Sequence, residues 1–91
     1  MTAARVATIE QVLRAALDPS QIEVIDDSAR HAGHEGARDG RGHFRVLVRS
    51  ARFQGLKPIA RHRLVYEAMG ELMQTDVHAL QIRALAPDDK E

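Results

Sequence analysis

An α+β domain, a three-stranded sheet with helices packed on one face, is the fold class that three observations predict. An apolar spacing of three and four residues opens the chain, period-two alternation recurs in three separate runs, and a second helical pattern lies between the last two runs. Ninety-one residues make one domain with one modest core.

Thr8 precedes Ile9, Val12, Leu13, Ala16 and Leu17, which share one helical stripe. The pattern predicts a first helix with Thr8 as its N-cap, stopped by Asp18-Pro19. In residues 21–27, Ile22 and Val24 alternate against Glu23 with Ile25 on the second face, which predicts a strand. Residues 28–42 contain Gly33, Gly36, Gly40 and Gly42 and no long aliphatic side chain, the composition of a long, flexible loop. A second strand follows over residues 43–50, with Phe44, Val46 and Val48 on one side and Arg45, Leu47 and Arg49 on the other, placed to pair with the first as a hairpin. Phe53-Gln54-Gly55 predicts a turn, and Pro58 suits the first turn of the main helix. Ile59, Val65, Tyr66, Met69, Leu72 and Met73 form its apolar arc, with Arg63, Glu67, Gly70 and Gln74 opposite. Gln74-Thr75-Asp76 closes that helix, and the alternation of Leu80, Ile82 and Ala84 against Gln81 and Arg83 predicts a third strand over 77–85. Glu23, Arg45, Arg49, Gln81 and Arg83 then face water. The single domain spans residues 1–91, with its core at about 7–85 and a frayed tail at 86–91.

The chain is 44% hydrophobic but only 3% aromatic, so aliphatic side chains must build the core, and little stacking surface is left for a base or a flavin. No apolar run is long enough to cross a membrane, and residues 1–13 lack the pattern of a secretion signal, which leads us to expect a soluble cytoplasmic protein. Its Ala and Arg bias suggests a bacterial source. The absence of cysteine rules out disulfides and thiolate chemistry within this chain, so any sulfur ligand must come from a partner. Formal net charge is zero, which speaks against a general nucleic-acid binder. Yet Arg30, Arg38, Arg41, Arg45, Arg49, Arg52, Lys57, Arg61 and Arg63 oppose only Glu35 and Asp39 between residues 30 and 63. This central band is either a set of solvated arginines or a face for an acidic partner or a phosphate backbone.

Five histidines are the remaining candidates for chemistry. His62 falls inside the apolar arc and reads as a packed helix residue. His43 opens a strand beside Phe44 and reads as structural, with a place at the border of any site the loop makes. His31 and His34 have H-x2-H spacing, a weak metal signal without cysteine. His78 stands where the main helix ends and the third strand begins, exposed yet firmly placed. Ser28, His31 and Asp26 do not make a triad, since no nucleophile elbow or oxyanion glycines accompany them. The loop glycines match neither the phosphate-loop nor the dinucleotide pattern, and we do not expect an enzyme.

Five pieces in fixed order carry a resemblance: Ser28-x-x-His31, His43-Phe44, Phe53-x-Gly55, Arg61-His62-Arg63-x-Val65-Tyr66 and His78-Ala79-Leu80. From about Ile9 to Leu85 the chain resembles the BolA family, with Gly42 standing where its relatives usually have Ser or Thr. The resemblance implies a class II KH-like α-β-β-α-α-β fold, with a short helical turn near residues 51–54. It also implies a monothiol glutaredoxin as partner and a [2Fe-2S] cluster shared with that partner and its glutathione, with no cofactor on the isolated chain. The metal ligands it implies are His78 from the carboxy-terminal motif and His31 from the loop, with His34 or His43 as the alternative loop ligand. The work implied is iron-sulfur cluster assembly or trafficking, or iron regulation. The alternative is a DNA-binding transcriptional regulator of stress and morphology genes, using Lys57, Arg61 and Arg63 at the start of the main helix. The GXXG clamp of KH domains is approximated only at Gly33 to Gly36 and Gly36 to Gly40, inside the loop. The free chain is expected to be a monomer or weak homodimer without membrane contact.

Imidazole ligands are protonatable, so cluster binding through two histidines should weaken as pH falls through the histidine range. Following the cluster's visible spectrum between about pH 8 and 5 tests this, and a spectrum unchanged over that span contradicts two histidine ligands.

Overall fold

Phe44, Val46 and Val48 put three apolar side chains on one side of a strand, and that side has to be covered. The computed structural model describes residues 2–28 and 41–90 and covers it with helices. The order is α1 (Thr2–Leu17), β1 (Gln21–Asp26), β2 (Gly42–Arg49), a one-turn 3-10 helix (Ala51–Phe53), α2 (Pro58–Met69), α3 (Leu72–Thr75) and β3 (Val77–Leu85). The expected α-β-β-α-α-β arrangement is therefore present, with the short turn at Ala51–Phe53 where it was expected. β2 is the central strand, antiparallel to β1 and parallel to β3.

The core joins Ile9, Leu13 and Leu17 of α1 to Phe44, Val46 and Val48 of β2, Phe53, Val65 and Met69 of α2, and Val77. Ile22 and Val24 of β1 and Leu80, Ile82 and Ala84 of β3 pack against it from the same side of the sheet. The other side carries Glu23, Arg45, Leu47, Gln81 and Arg83, and Ile25 is 37% exposed there, whereas Arg49, expected to face water, is half-buried and bonded to Gln21 and the carboxy-terminal segment. Among the described residues no helix is long and apolar enough to cross a membrane.

Ser50 ties three elements together at the far end of β2. Fully buried, its hydroxyl donates to the carbonyl of Leu17 at the end of α1 and accepts from the Arg52 N–H, while its own N–H donates to the Leu85 carbonyl. Removing that hydroxyl leaves a buried carbonyl without its donor, a loss of about 1–3 kcal/mol. Asp18, at φ 45°, supplies the left-handed residue that ends α1, a place glycine more often fills.

Several expectations are corrected. Thr8 is not an N-cap: α1 begins at Thr2, and the Thr8 hydroxyl donates to the Ala4 carbonyl within the helix. The main helix does not run unbroken to Met73, because Gly70, at φ 55°, separates α2 from α3. Ile59 and Tyr66 do not pack inward, being 65% and 42% exposed, and His62 beside them is exposed too. The inward face of α2 is instead Arg61, Leu64, Val65, Ala68 and Met69. Counting Arg61 as a surface residue rotates the expected arc away from the true one. Its stem is half-buried and its head group reaches the carboxy-terminal segment.

That segment is not frayed over its described residues. Arg61 donates to Asp89 Oδ2 at 2.6 Å and to the Leu56 and Ala84 carbonyls, and the Ala86 N–H caps the same carboxylate oxygen. Arg49 Nη1 donates to the carbonyls of Ala86, Pro87 and Asp89. The Ala86 N–H, and after it the Arg61 guanidinium, hold the Asp89 carboxyl below its ordinary range. A carboxylate whose pKa is lower folded than unfolded stabilises the fold above its unfolded pKa, and that stability disappears as pH falls through the folded value. We expect thermal melts followed by circular dichroism to show stability lost below about pH 4. Asp89→Asn should lower the melting temperature at pH 7 and flatten the acid dependence; an identical pH profile in that variant contradicts the clamp.

Candidate metal centre

The ladder between β2 and β3 is regular from Phe44 opposite Leu80 to Arg49 opposite Leu85. At its start the register shifts, so that Gly42 faces Val77 and His43 faces Ala79. His78 is the extra residue of a bulge, the device that re-aims a side chain at a strand end. Val77 is thereby fully buried, Leu80 still packs on the core, and His78 is exposed between them.

The bulge brings His78 to His43. Their ring centroids lie 5.3 Å apart with the planes inclined at 50°. Both histidines are held by backbone. The His43 N–H donates to Ser28 Oγ at 3.0 Å and its carbonyl accepts from the Asp27 N–H at 2.7 Å. Ser28 is fixed in turn, its N–H donating to Asp26 Oδ1 at 2.7 Å. On the other side, the Gly42 N–H donates to the Asp76 carbonyl at 2.9 Å. The Asp76 carboxylate accepts from the Thr75 hydroxyl and from Arg5 Nε of α1, and these partners, Thr75 foremost, keep it below the usual carboxylate range. Gly42 has no room for a side chain, because a Cβ there would stand 2.7 Å from the Phe44 ring and 2.8 Å from Ser28 Oγ. The bare Cα of Gly42 thus permits the close approach of Phe44 and Ser28.

Arg41 completes the group. Its Nη2 donates to His78 Nδ1 at 3.2 Å. A guanidinium has no acceptor, so Nδ1 carries the imidazole lone pair and Nε2 the proton.

Two imidazoles bound tetrahedrally to one ion, at nitrogen–metal distances of about 2.0–2.1 Å, have ring centres roughly 5 Å apart. The ring centres of His43 and His78 match that spacing, and the Nε2 of His43 is buried. Among the described residues no group of three or more His, Asp or Glu side chains assembles that could hold a metal ion. His31 and His34, expected from the loop, lie outside the described residues. His62 is exposed on α2. Of the cations assigned to nucleic acid, Lys57 and Arg63 are exposed, whereas Arg61 is committed to the carboxy-terminal clamp. Arg41 and Ser28, which contact His78 and His43, carry no signal for that role in the sequence. Both act across the strand register, and no local spacing signals that.

The family described as BolA-like protein matches residues 13–89. BolA-like protein 1 of Mus musculus is 44% identical over 81 residues, which cover 89% of this chain and 57% of the mouse protein. The chain thus spans a little over half the length of that relative. The DNA-binding transcriptional regulator BolA of Escherichia coli (strain K12) is 42% identical over 74 residues, covering 81% of this chain and 68% of that one. Among solved structures, BolA1 from Arabidopsis thaliana superposes with a TM-score of 0.81 at 32% identity, covering 96% of each chain.

If the bare Cα of Gly42 sets the strand start, Gly42→Ala should cost about 1–3 kcal/mol, the range for overpacking a filled site. Chemical denaturation measures the loss, and the ring signals of both His43 and His78 should shift in the same variant.

Proposed function

Because the chain belongs to the BolA family, we propose that it is an adaptor that binds a monothiol glutaredoxin and co-ligates a [2Fe-2S] cluster through histidines, in cluster assembly, trafficking or iron regulation in the cytoplasm. The observation that carries this reading is the 5.3 Å approach of the His43 and His78 rings at the bulge. His78 is one ligand; the second is His43, already beside it, or His31, three residues along the chain from Ser28. With no cysteine in the chain, thiolate ligands come from the partner and its glutathione. A cluster held this way supplies a one-electron centre whose potential is raised by imidazole relative to all-cysteine ligation. The residues of this chain fix the ring positions through Ser28 and Gly42.

A second reading, a DNA-binding regulator of stress and morphology genes, is favoured by the name of the E. coli relative and by exposed Lys57 and Arg63. Arg61 contributes little to it, since its Nε and Nη1 already bond within the chain.

Titration of the chain into cluster-loaded glutaredoxin, followed by visible absorption and circular dichroism, tests the first reading. We expect a spectral change saturating at a one-to-one ratio and abolished in His78→Ala. Comparing His43→Ala with His31→Ala identifies the second ligand; a change that survives all three substitutions overturns histidine ligation. For the second reading, Arg63→Glu should weaken duplex binding and reduce the slope of log affinity against log salt by about one or more. Duplex affinity and slope unchanged in that variant count against it.

A further inference from the structure

The hydrogen bond from Arg41 to His78 has a consequence for ligation, and it rests on the reading of His78 as a metal ligand. We infer that Arg41 is a positioning residue that sets the tautomer of His78 and masks its Nδ1 lone pair, so that an iron centre takes His78 only when Arg41 moves away.

A neutral imidazole has one lone-pair nitrogen. With Arg41 Nη2 donating at 3.2 Å, that nitrogen is Nδ1. Iron bound at Nδ1 takes the lone pair that Arg41 uses. Iron bound at Nε2 requires the proton on Nδ1, where it would point at the guanidinium, donor against donor. In both geometries the Arg41–His78 contact breaks.

The backbone explains why Arg41 stands there. It immediately precedes Gly42, which is pinned by its N–H to the Asp76 carbonyl and by its bare Cα to the Phe44 ring. Gly42 pairs with Val77, so Arg41 leaves the ladder directly beside the turn that carries His78. Since the contact is exposed, water competes for both groups, and the mask is shallow enough for a partner to displace.

Two measurements on Arg41→Ala and Arg41→Lys test this. The first is a long-range nitrogen–proton correlation spectrum of the His78 ring in the free chain. It should show an Nε2–H tautomer in the parent, a mixed population in Arg41→Ala and an intermediate pattern in Arg41→Lys. The second is the titration into cluster-loaded glutaredoxin, where Arg41→Ala should bind about three- to tenfold more tightly, the span of one exposed hydrogen bond. Far-ultraviolet circular dichroism checks that each variant is folded. Unchanged ring signals with unchanged affinity in Arg41→Ala, or weaker binding there, overturn the masking role while leaving His78 as ligand. If His78→Ala binds the cluster as the parent does, the ligand reading fails and the masking role fails with it.

Discussion

The arrangement of the histidines hangs on one irregularity in the pairing of β2 with β3. From Phe44 to Arg49 the two strands run in strict register, and a slip of one residue would turn every side chain of β3 to the wrong face. The single additional residue at the start of β3 is therefore confined to one place. It lets Val77 enter the core without displacing Leu80, and it leaves His78 outside, next to His43. Gly42 makes the irregularity possible, because any side chain on it would strike Phe44 and Ser28. The amide of Gly42 then seals the strand start to the Asp76 carbonyl.

Arginine does much of the joining in this chain. With two phenylalanines and otherwise aliphatic residues, the core is small, and polar ties close its perimeter. Arg49 gathers three carbonyls of the carboxy-terminal segment, Arg61 holds Asp89, Arg52 reaches the Ala16 carbonyl at the end of α1, and Arg5 fixes Asp76. The guanidinium suits this task because its planar array of donors serves several acceptors without shedding its charge. Part of the central basic band is thus structural, and the cations left for a partner are fewer than the sequence count suggests.

The strands were legible because alternation with one buried face is a direct image of the pleat. The hairpin of β1 and β2, the third strand and the turn around Phe53 all followed. The phase of α2 was not legible, since Arg61 occupies a core-facing position with a polar head, and pattern reading assigns such a residue to solvent. The meeting of His43 with His78 was hidden for a different reason. It depends on which residues of β2 and β3 stand opposite each other, a relation set by packing across the molecule and by the bulge. His78 itself was visible as a residue at a strand start, and the family resemblance pointed to it, but neither local pattern nor resemblance singled out Arg41.

Parallel pairing of β2 with β3 also has a kinetic meaning. An antiparallel hairpin closes locally, whereas parallel neighbours must wait for the intervening helices to cross over and dock. The two imidazoles meet only across that non-local seam, so a chain with β3 undocked has two separate histidines. Whatever binds both rings at once binds the finished fold and not its precursors, and by mass action draws the population toward it. The meeting of the two rings therefore doubles as a mark of the completed sheet, present only in chains whose β2–β3 seam has formed.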